Sequence, residues 1–147
     1  MEATLSAAVA KTSRDYRCFK ISPGDTNRLA IVFDPIGDQV DFICTVEIFD
    51  VGGKTPPNMH PIGQEMFFVL RGEGIARCDG RAMTLRAGDS LLVRPGAEHV
   101  IENTGAGRLY CLQVMVPDDD FAALIRNGIP ATLDEEDLAV LRRIAAR

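Results

Sequence analysis

Short runs of β-branched and aromatic residues, separated at nearly every junction by glycine or proline, extend from residue 16 to residue 116. Many short strands at regular spacing, with no helical pattern between them, are typical of an antiparallel sandwich or barrel rather than a parallel α/β sheet. The fold class predicted for this region is therefore all-β. The predicted strands are residues 16–21, 28–33, 40–51, 65–70, 74–78, 82–86, 90–94, 99–103 and 109–116.

Two turns are predicted to form hairpins. Asp79 and Gly80 separate two short strand runs, and this dipeptide favours a two-residue turn because both central residues need positive φ. The segment 105–107, Gly-Ala-Gly, predicts a second, looser hairpin.

The sequence period changes after residue 116. Pro117 suits the first position of a helix, the acidic residues 118–120 oppose the positive end of its dipole, and Asn127-Gly128 supplies a stop. A short helix is therefore predicted directly after the last strand.

A second helix is predicted from Thr132 and Glu135, which have the spacing of a capping box. Its apolar face would carry Leu138, Leu141 and Ala145, with Arg142, Arg143 and Arg147 near its negative end. We therefore divide the chain into an N-terminal arm (1–14), a β-domain (15–116) and a C-terminal helical extension (117–147).

Charge and hydropathy exclude several classes of partner. The net charge is −5 and Arg142-Arg143 is the largest basic cluster, so no nucleic-acid partner is expected. No apolar run approaches the ~20 residues that span a bilayer, and the N-terminus lacks a signal-peptide pattern, so we predict no membrane association and a cytoplasmic location. The four cysteines occur singly and are expected to pack as reduced, small hydrophobic residues.

The chain has only two histidines, His60 and His99, and each lies beside a Pro/Gly turn at a strand margin. Because alternate side chains of a strand face the same side, Asn58, His60, Glu65 and His99 can share one face. Two imidazoles and a carboxylate suit Fe, Mn, Co, Ni or Zn and leave coordination positions open. These residues are the candidate metal ligands, with Asn58 as a weak additional oxygen donor.

The spacing of these residues resembles the two sequence motifs of the cupin superfamily. The first reads Gly52, five residues, Asn58-Met59-His60, four residues, Glu65, six residues and Gly72. Asn58 stands where the family motif has its first histidine, so the resemblance implies three of the usual ligands rather than four.

The second motif reads Gly88, five residues, Arg94-Pro95-Gly96, two residues, His99, three residues and Asn103. Arg94 stands where the family has proline. The resemblance covers residues 52–103 and implies a cupin-type jelly-roll β-barrel, or double-stranded β-helix, with short C-terminal helices added. It also implies a homodimer, since such barrels commonly pair through sheet edges.

Strand parity predicts the rest of the cavity. Phe67, Val69 and Ile101 share the inward parity of the ligands and predict an apolar wall suited to a small organic substrate. Glu47 and Gln113 are candidate catalytic residues if their faces point inward. The alternative for Glu47 is a solvated carboxylate on the outer face. Tyr110 and Arg77 are expected at the surface or an interface.

The function predicted from the resemblance is that of a metal-dependent small-molecule enzyme. Two imidazoles and a carboxylate favour a non-haem iron dioxygenase. A metal-dependent isomerase or lyase with Glu47 as base would use the same ligands. A non-catalytic metabolite-binding protein is the third possibility, because the fold itself selects no reaction.

Overall fold

Ten strands and three short helices form residues 5–142, the part of the chain that the computed structural model describes. The strands are β1 (Arg17–Lys20), β2 (Asn27–Phe33), β3 (Ile43–Phe49), β4 (Gln64–Arg71), β5 (Glu73–Cys78), β6 (Arg81–Arg86), β7 (Ser90–Val93), β8 (His99–Asn103), β9 (Leu109–Val116) and β10 (Ile129–Ala131). The helices are α1 (Pro35–Asp38), α2 (Phe121–Arg126) and α3 (Glu135–Leu141). None of the helices in residues 5–142 has the length and apolar character needed to cross a bilayer.

The strands form two antiparallel sheets. The larger sheet has the order β10-β1-β2-β3-β9-β4-β7 and the smaller one the order β6-β5-β8. Apolar side chains from both sheets pack into one cluster, which includes Phe67 of β4, Leu85 of β6 and Ile101 of β8. The all-β prediction is confirmed, and the arrangement is that of a jelly roll.

Burial alternates along β4 as the predicted pattern requires. Glu65, Phe67 and Val69 are buried, whereas Met66 and Phe68 on the opposite face are exposed. In β3, by contrast, every residue is buried, because its second face packs against a further cluster that Val140 and Leu141 of α3 help to cover.

One of the two predicted hairpins is correct. Asp79 and Gly80, with φ of 52° and 74°, join β5 to β6 as expected. The segment 105–107 does not form a hairpin, because β8 pairs with β5 in the smaller sheet whereas β9 pairs with β3 and β4 in the larger one. The turn therefore carries the chain from one sheet to the other.

The predicted start of the first C-terminal helix is wrong. Helix α2 begins at Phe121, because Asp119 and Asp120 adopt positive φ and keep the segment after Pro117 non-helical. The predicted end is correct, since Asn127 is the C-cap.

The predicted capping box of the last helix is displaced by two residues. Asp134 and Asp137 form the box of α3, in place of Thr132 and Glu135. The extension also contains β10, which pairs with β1 and makes this region only partly helical. The predictions for residues 1–4, Arg143, Ala145 and Arg147 lie outside the described residues.

Tyr110 does not lie at the surface. It is fully buried, and its hydroxyl donates a hydrogen bond of 2.8 Å to the carboxylate of Asp137 on α3. Arg77 is exposed as predicted and pairs with Glu102.

Candidate metal centre

His60, Glu65 and His99 meet inside the fold from three different segments. His60 lies in the loop before β4, Glu65 is the second residue of β4, and His99 is the first residue of β8. One donor atom from each side chain lies within 4.8 Å of the other two. His99 Nε2 is 2.8 Å from Glu65 Oε1, and His60 Nε2 is 3.6 Å from the same oxygen. The structure thus brings together three of the four predicted ligands.

The imidazole of His60 has a buried nitrogen without a partner. Its Nε2 atom has no hydrogen bond, although buried polar groups are nearly always paired. The ring packs edge-on against Phe121 with centroids 5.1 Å apart, and the His60 carbonyl accepts a hydrogen bond from the amide of Gly96. Burial lowers the pKa of His60, so its neutral, metal-binding form predominates. An unpartnered imidazole nitrogen facing a carboxylate fits a divalent cation.

The imidazole of His99 is fixed from both sides. Its Nδ1 lies 2.9 Å from the Ala97 carbonyl, while Nε2 faces Glu65. Burial by itself would lower the pKa of His99, but the hydrogen bonds to Glu65 and Ala97 outweigh it, and the pKa is raised. The carbonyl accepts from Nδ1 and leaves Nε2 directed at the ligand cluster, as is common for metal-binding histidines.

Gln113 holds the carboxylate of Glu65 through a hydrogen bond. Its Nε2 donates to Glu65 Oε2 at 2.8 Å, and its Oε1 accepts from the Thr45 hydroxyl at 2.8 Å. Gln113 is fully buried and is not among the residues that line the adjoining cavity. Its position therefore favours orienting the carboxylate of Glu65 over contacting a substrate.

Asn58 lies beside the three residues but is held by the backbone. Its Nδ2 donates to the carbonyls of Pro56 and His99, and its own amide and carbonyl pair with those of His99. It lines the cavity, and its role as a metal ligand stays a prediction.

A cavity of about 470 Å³ opens onto the ligand cluster. Phe67 and Ile101 form part of its apolar wall as predicted, whereas Val69 lies deeper, in the core between the sheets. Leu29, Phe121 and Leu124 complete the apolar side. The volume lies within the range typical of small-molecule sites.

Glu47 also faces this cavity, so the alternative of a solvated carboxylate on the outer face is wrong. The residue is only 4% exposed, and its Oε1 accepts a hydrogen bond of 2.9 Å from Asn27 Nδ2. Burial and the nearby charge of Glu65 raise the pKa of Glu47 to about 8. Glu47 is therefore largely protonated at neutral pH, and it is the kind of group that can deliver or accept a proton.

Sequence reasoning missed several polar or aromatic residues of the cavity, among them Asn27, Asp119 and Phe121. Asp119 Oδ2 accepts hydrogen bonds from the amides of Ile62 and Gly63 and so fixes the loop that follows His60. These residues lie far from both motifs. Only Asn27, directly before the predicted strand 28–33, had a sequence position that could have indicated a place near the cavity rim.

Comparison with known proteins places these features in a family. Residues 45–115 match a sequence-family model described as "Cupin domain". This range includes Glu47, all three clustered ligands and Gln113.

Two curated relatives are similar over shorter stretches. An uncharacterized protein of Methanocaldococcus jannaschii is 33% identical over 58 residues, which cover 40% of this chain and 46% of the relative. The "oxalate-binding protein" of Thermotoga maritima is 36% identical over 52 residues, covering 35% of this chain and 43% of the relative. The chain thus matches less than half the length of these relatives.

A solved structure with the same fold is described as a predicted oxalate decarboxylase from Thermotoga maritima. It superimposes with a TM-score of 0.65 at 21% identity, covering 74% of this chain and 99% of the other. At this identity the likeness establishes the fold.

Proposed function

The chain belongs to the cupin superfamily, and we propose that it is a metal-dependent enzyme that acts on a small organic molecule. The observation that carries the proposal is the convergence of His60, Glu65 and His99, with the unpartnered His60 Nε2 directed into the cluster. Three protein ligands are the number usual in catalytic zinc and non-haem iron sites.

A divalent ion held there would act as a Lewis acid on a substrate oxygen or, as iron(II), would support dioxygen chemistry. The protein itself orients the ligand side chains and excludes water from the site. Gln113 and the Ala97 carbonyl fix the directions of Glu65 and His99. The apolar wall, with Phe67 and Ile101, keeps water away from an apolar substrate body.

Two reaction classes are supported by different observations. The two-histidine, one-carboxylate donor set favours a dioxygenase. Glu47, buried in the cavity wall and titrating near pH 8, favours proton transfer at carbon, as in an isomerase or lyase. In that reaction the Glu47 carboxylate would take a proton from the substrate and the carboxylic acid would return it.

Elemental analysis of protein purified without added metal tests the proposal. The wild-type protein should hold about one divalent ion per chain, and His60→Ala and His99→Ala should each lose most of it, because two ligands bind far more weakly than three. Glu65→Gln should lose metal in the same way, whereas its matched control Glu73→Gln, at the exposed first position of β5, should keep it. Equal metal content in all variants would overturn the proposal.

Oxygen consumption by iron-loaded protein across candidate substrates then separates the reaction classes. Consumption that depends on substrate supports the dioxygenase, whereas substrate deuterium exchange without oxygen uptake supports the isomerase or lyase. Tight binding with neither signal would indicate a metabolite-binding protein.

The homodimer and the cytoplasmic location stay predictions. The outer face of β4 and β7 supports self-association, because Met66, Phe68 and Leu92 expose between 38% and 51% of their surface there. Light scattering coupled to size-exclusion chromatography tests the dimer.

A further inference from the structure

Two buried side-chain polar atoms in the described part of the chain lack a hydrogen-bond partner, and both belong to residues that line the same cavity. One is His60 Nε2, which the proposed metal accounts for. The other is Asn27 Oδ1. Since an unpaired buried carbonyl oxygen is costly, Asn27 Oδ1 calls for a partner that enters the cavity.

Asn27 is held in place for such a role. The residue is 4% exposed and begins β2, where its backbone pairs with β3 opposite Phe49. Its Nδ2 is already committed to Glu47 Oε1 at 2.9 Å. The amide plane is therefore fixed by a buried neighbour, and the free oxygen is available only to a group that donates a hydrogen bond.

The charge of the cavity restricts what that group can belong to. Among the described residues that line it there are five acidic side chains and no lysine or arginine; the acids are Asp25, Glu47, Glu65, Asp119 and Asp120. Without a lysine or arginine in the wall, a carboxylate brought into this cavity away from His60 and His99 loses hydration with no compensating charge.

We infer that Asn27 Oδ1 binds an N–H or O–H donor on a substrate that carries no negative charge at that end. Such a group is an amide, amine or hydroxyl on an otherwise apolar body, which contacts Leu29, Phe67 and Ile101. The inference rests on the proposed function only for the metal-bound end of the substrate.

Three probes of nearly equal shape test the inference in chelator-treated, metal-free protein: benzamide, acetophenone and benzoate. They carry, respectively, an N–H donor, an acceptor alone and a negative charge. Two-dimensional ¹H–¹⁵N NMR titrations give the affinities and locate the probes through the side-chain amide of Asn27. Benzamide should bind about five-fold more tightly than acetophenone, the gain expected of one net hydrogen bond, and benzoate more weakly than both.

Variants assign the preference to Asn27. Asn27→Leu should abolish the advantage of benzamide and leave acetophenone within two-fold of its wild-type affinity. Asn27→Asp retains an oxygen acceptor but lacks the Nδ2 donor to Glu47, and it should keep only part of the preference. Thermal unfolding establishes that each variant is folded, and the wild-type comparison tests the inference even if Asn27→Leu does not fold. Equal binding of benzamide and acetophenone, or tighter binding of benzoate, would overturn it.

Because no metal is present in these titrations, their outcome is independent of the elemental analysis. If the protein binds no ion but prefers benzamide, the Asn27 subsite is supported and the proposed metal chemistry is overturned. If the protein binds an ion but shows no preference for benzamide, the proposed metal chemistry is supported and the Asn27 subsite is overturned.

Discussion

Gln113 Nε2 donates a 2.8 Å hydrogen bond to Glu65 Oε2, while the other oxygen of that carboxylate, Oε1, faces both histidines. The hydroxyl of Thr45 in turn donates to Gln113 Oε1. This chain crosses β3, β9 and β4, so the direction of the carboxylate is set by three neighbouring strands.

The first prediction follows from that chain. Gln113→Met should weaken metal binding by about 10- to 100-fold, because Glu65 loses the donor that orients it. It should also lower the free energy of unfolding by about 1–3 kcal/mol, since Glu65 Oε2 and the Thr45 hydroxyl are left unpaired. Competition with a fluorescent zinc chelator and urea unfolding measure the two effects.

The double variant Thr45→Val/Gln113→Met is the control. It removes the orphaned hydroxyl and should regain part of the stability without regaining metal affinity. Unchanged zinc affinity in Gln113→Met would contradict the positioning role.

The second prediction concerns Glu47 and pH. Its pKa, raised from 4.5 to about 8 by burial and by Glu65, means that the folded protein holds a proton there that the unfolded chain releases above pH 4.5. The stability associated with this proton is therefore complete below pH 4.5 and is lost as the pH rises toward 8, with a slope of up to about 1.4 kcal/mol per pH unit.

Glu47→Gln removes this dependence while it keeps the shape and the partner of the side chain. The variant should gain stability relative to the wild-type protein as the pH is raised from 5 to 8. Urea unfolding of metal-free protein at pH 5, 6.5 and 8 measures the difference, in which the other titrating groups largely cancel. A difference that does not change with pH would show that Glu47 is ionised throughout.

The strands and the three ligands were predictable from local patterns. Alternation in β4 places Glu65 and Phe67 on one face, and the motif spacing brings His60 and His99 to the same end of the sheets. The Asp79-Gly80 hairpin followed from the φ values that its turn requires.

Features that depend on which strand or helix packs against which were not predictable from the sequence. The glycines at 105 and 107 indicate a turn but carry no information about which sheet receives the next strand. The polar hydroxyl of Tyr110 favoured a position at the surface. It is buried because α3 packs against the sheet and brings Asp137 to it as a hydrogen-bond partner. Asn27 is an ordinary strand residue until tertiary packing brings it to Glu47. Strand parity made Gln113 a candidate catalytic residue, but it gave no indication that Gln113 would hydrogen-bond to Glu65.

The third prediction concerns proton release on metal binding. The pKa of His60 is lowered by burial, whereas the pKa of His99 is raised by Glu65 and Ala97 despite its burial, so His99 keeps its proton to a higher pH than His60 does. In Glu47→Gln, which lacks the protonated carboxyl group near Glu65, zinc binding should therefore displace more protons from His99 than from His60, with release rising as the pH falls from 8 to 6.5.

Titration calorimetry in two buffers with different ionisation enthalpies, such as Pipes and Aces, measures this release. His99→Ala, which retains His60, should show little of it. Proton release that His99→Ala leaves unchanged would mean that His99 is already neutral in the metal-free protein.

The last prediction separates stability from the metal centre. Asp137 on α3 is fully buried and accepts hydrogen bonds from Arg28, Arg108 and Tyr110. Burial would raise its pKa, but the hydrogen bond from Arg28 and the other donors hold the pKa at about 2. The stability this carboxylate contributes is thus present above pH 3.8 and is lost as the pH falls toward 2.

Asp137→Asn should lower the free energy of unfolding at pH 7 by about 3 kcal/mol, because Arg28 is left in a largely buried position without its charged partner. Tyr110→Phe should cost only about 1 kcal/mol, since it removes one hydrogen bond to a carboxylate that keeps those from Arg28, Arg108 and the Asp134 amide. Neither residue lines the cavity, so zinc affinity at low temperature should stay within two-fold of the wild-type value. Urea unfolding and chelator competition on the same samples measure both quantities. A loss of zinc affinity that parallels the loss of stability would mean that α3 and the ligand cluster unfold as one cooperative unit and do not have separate roles.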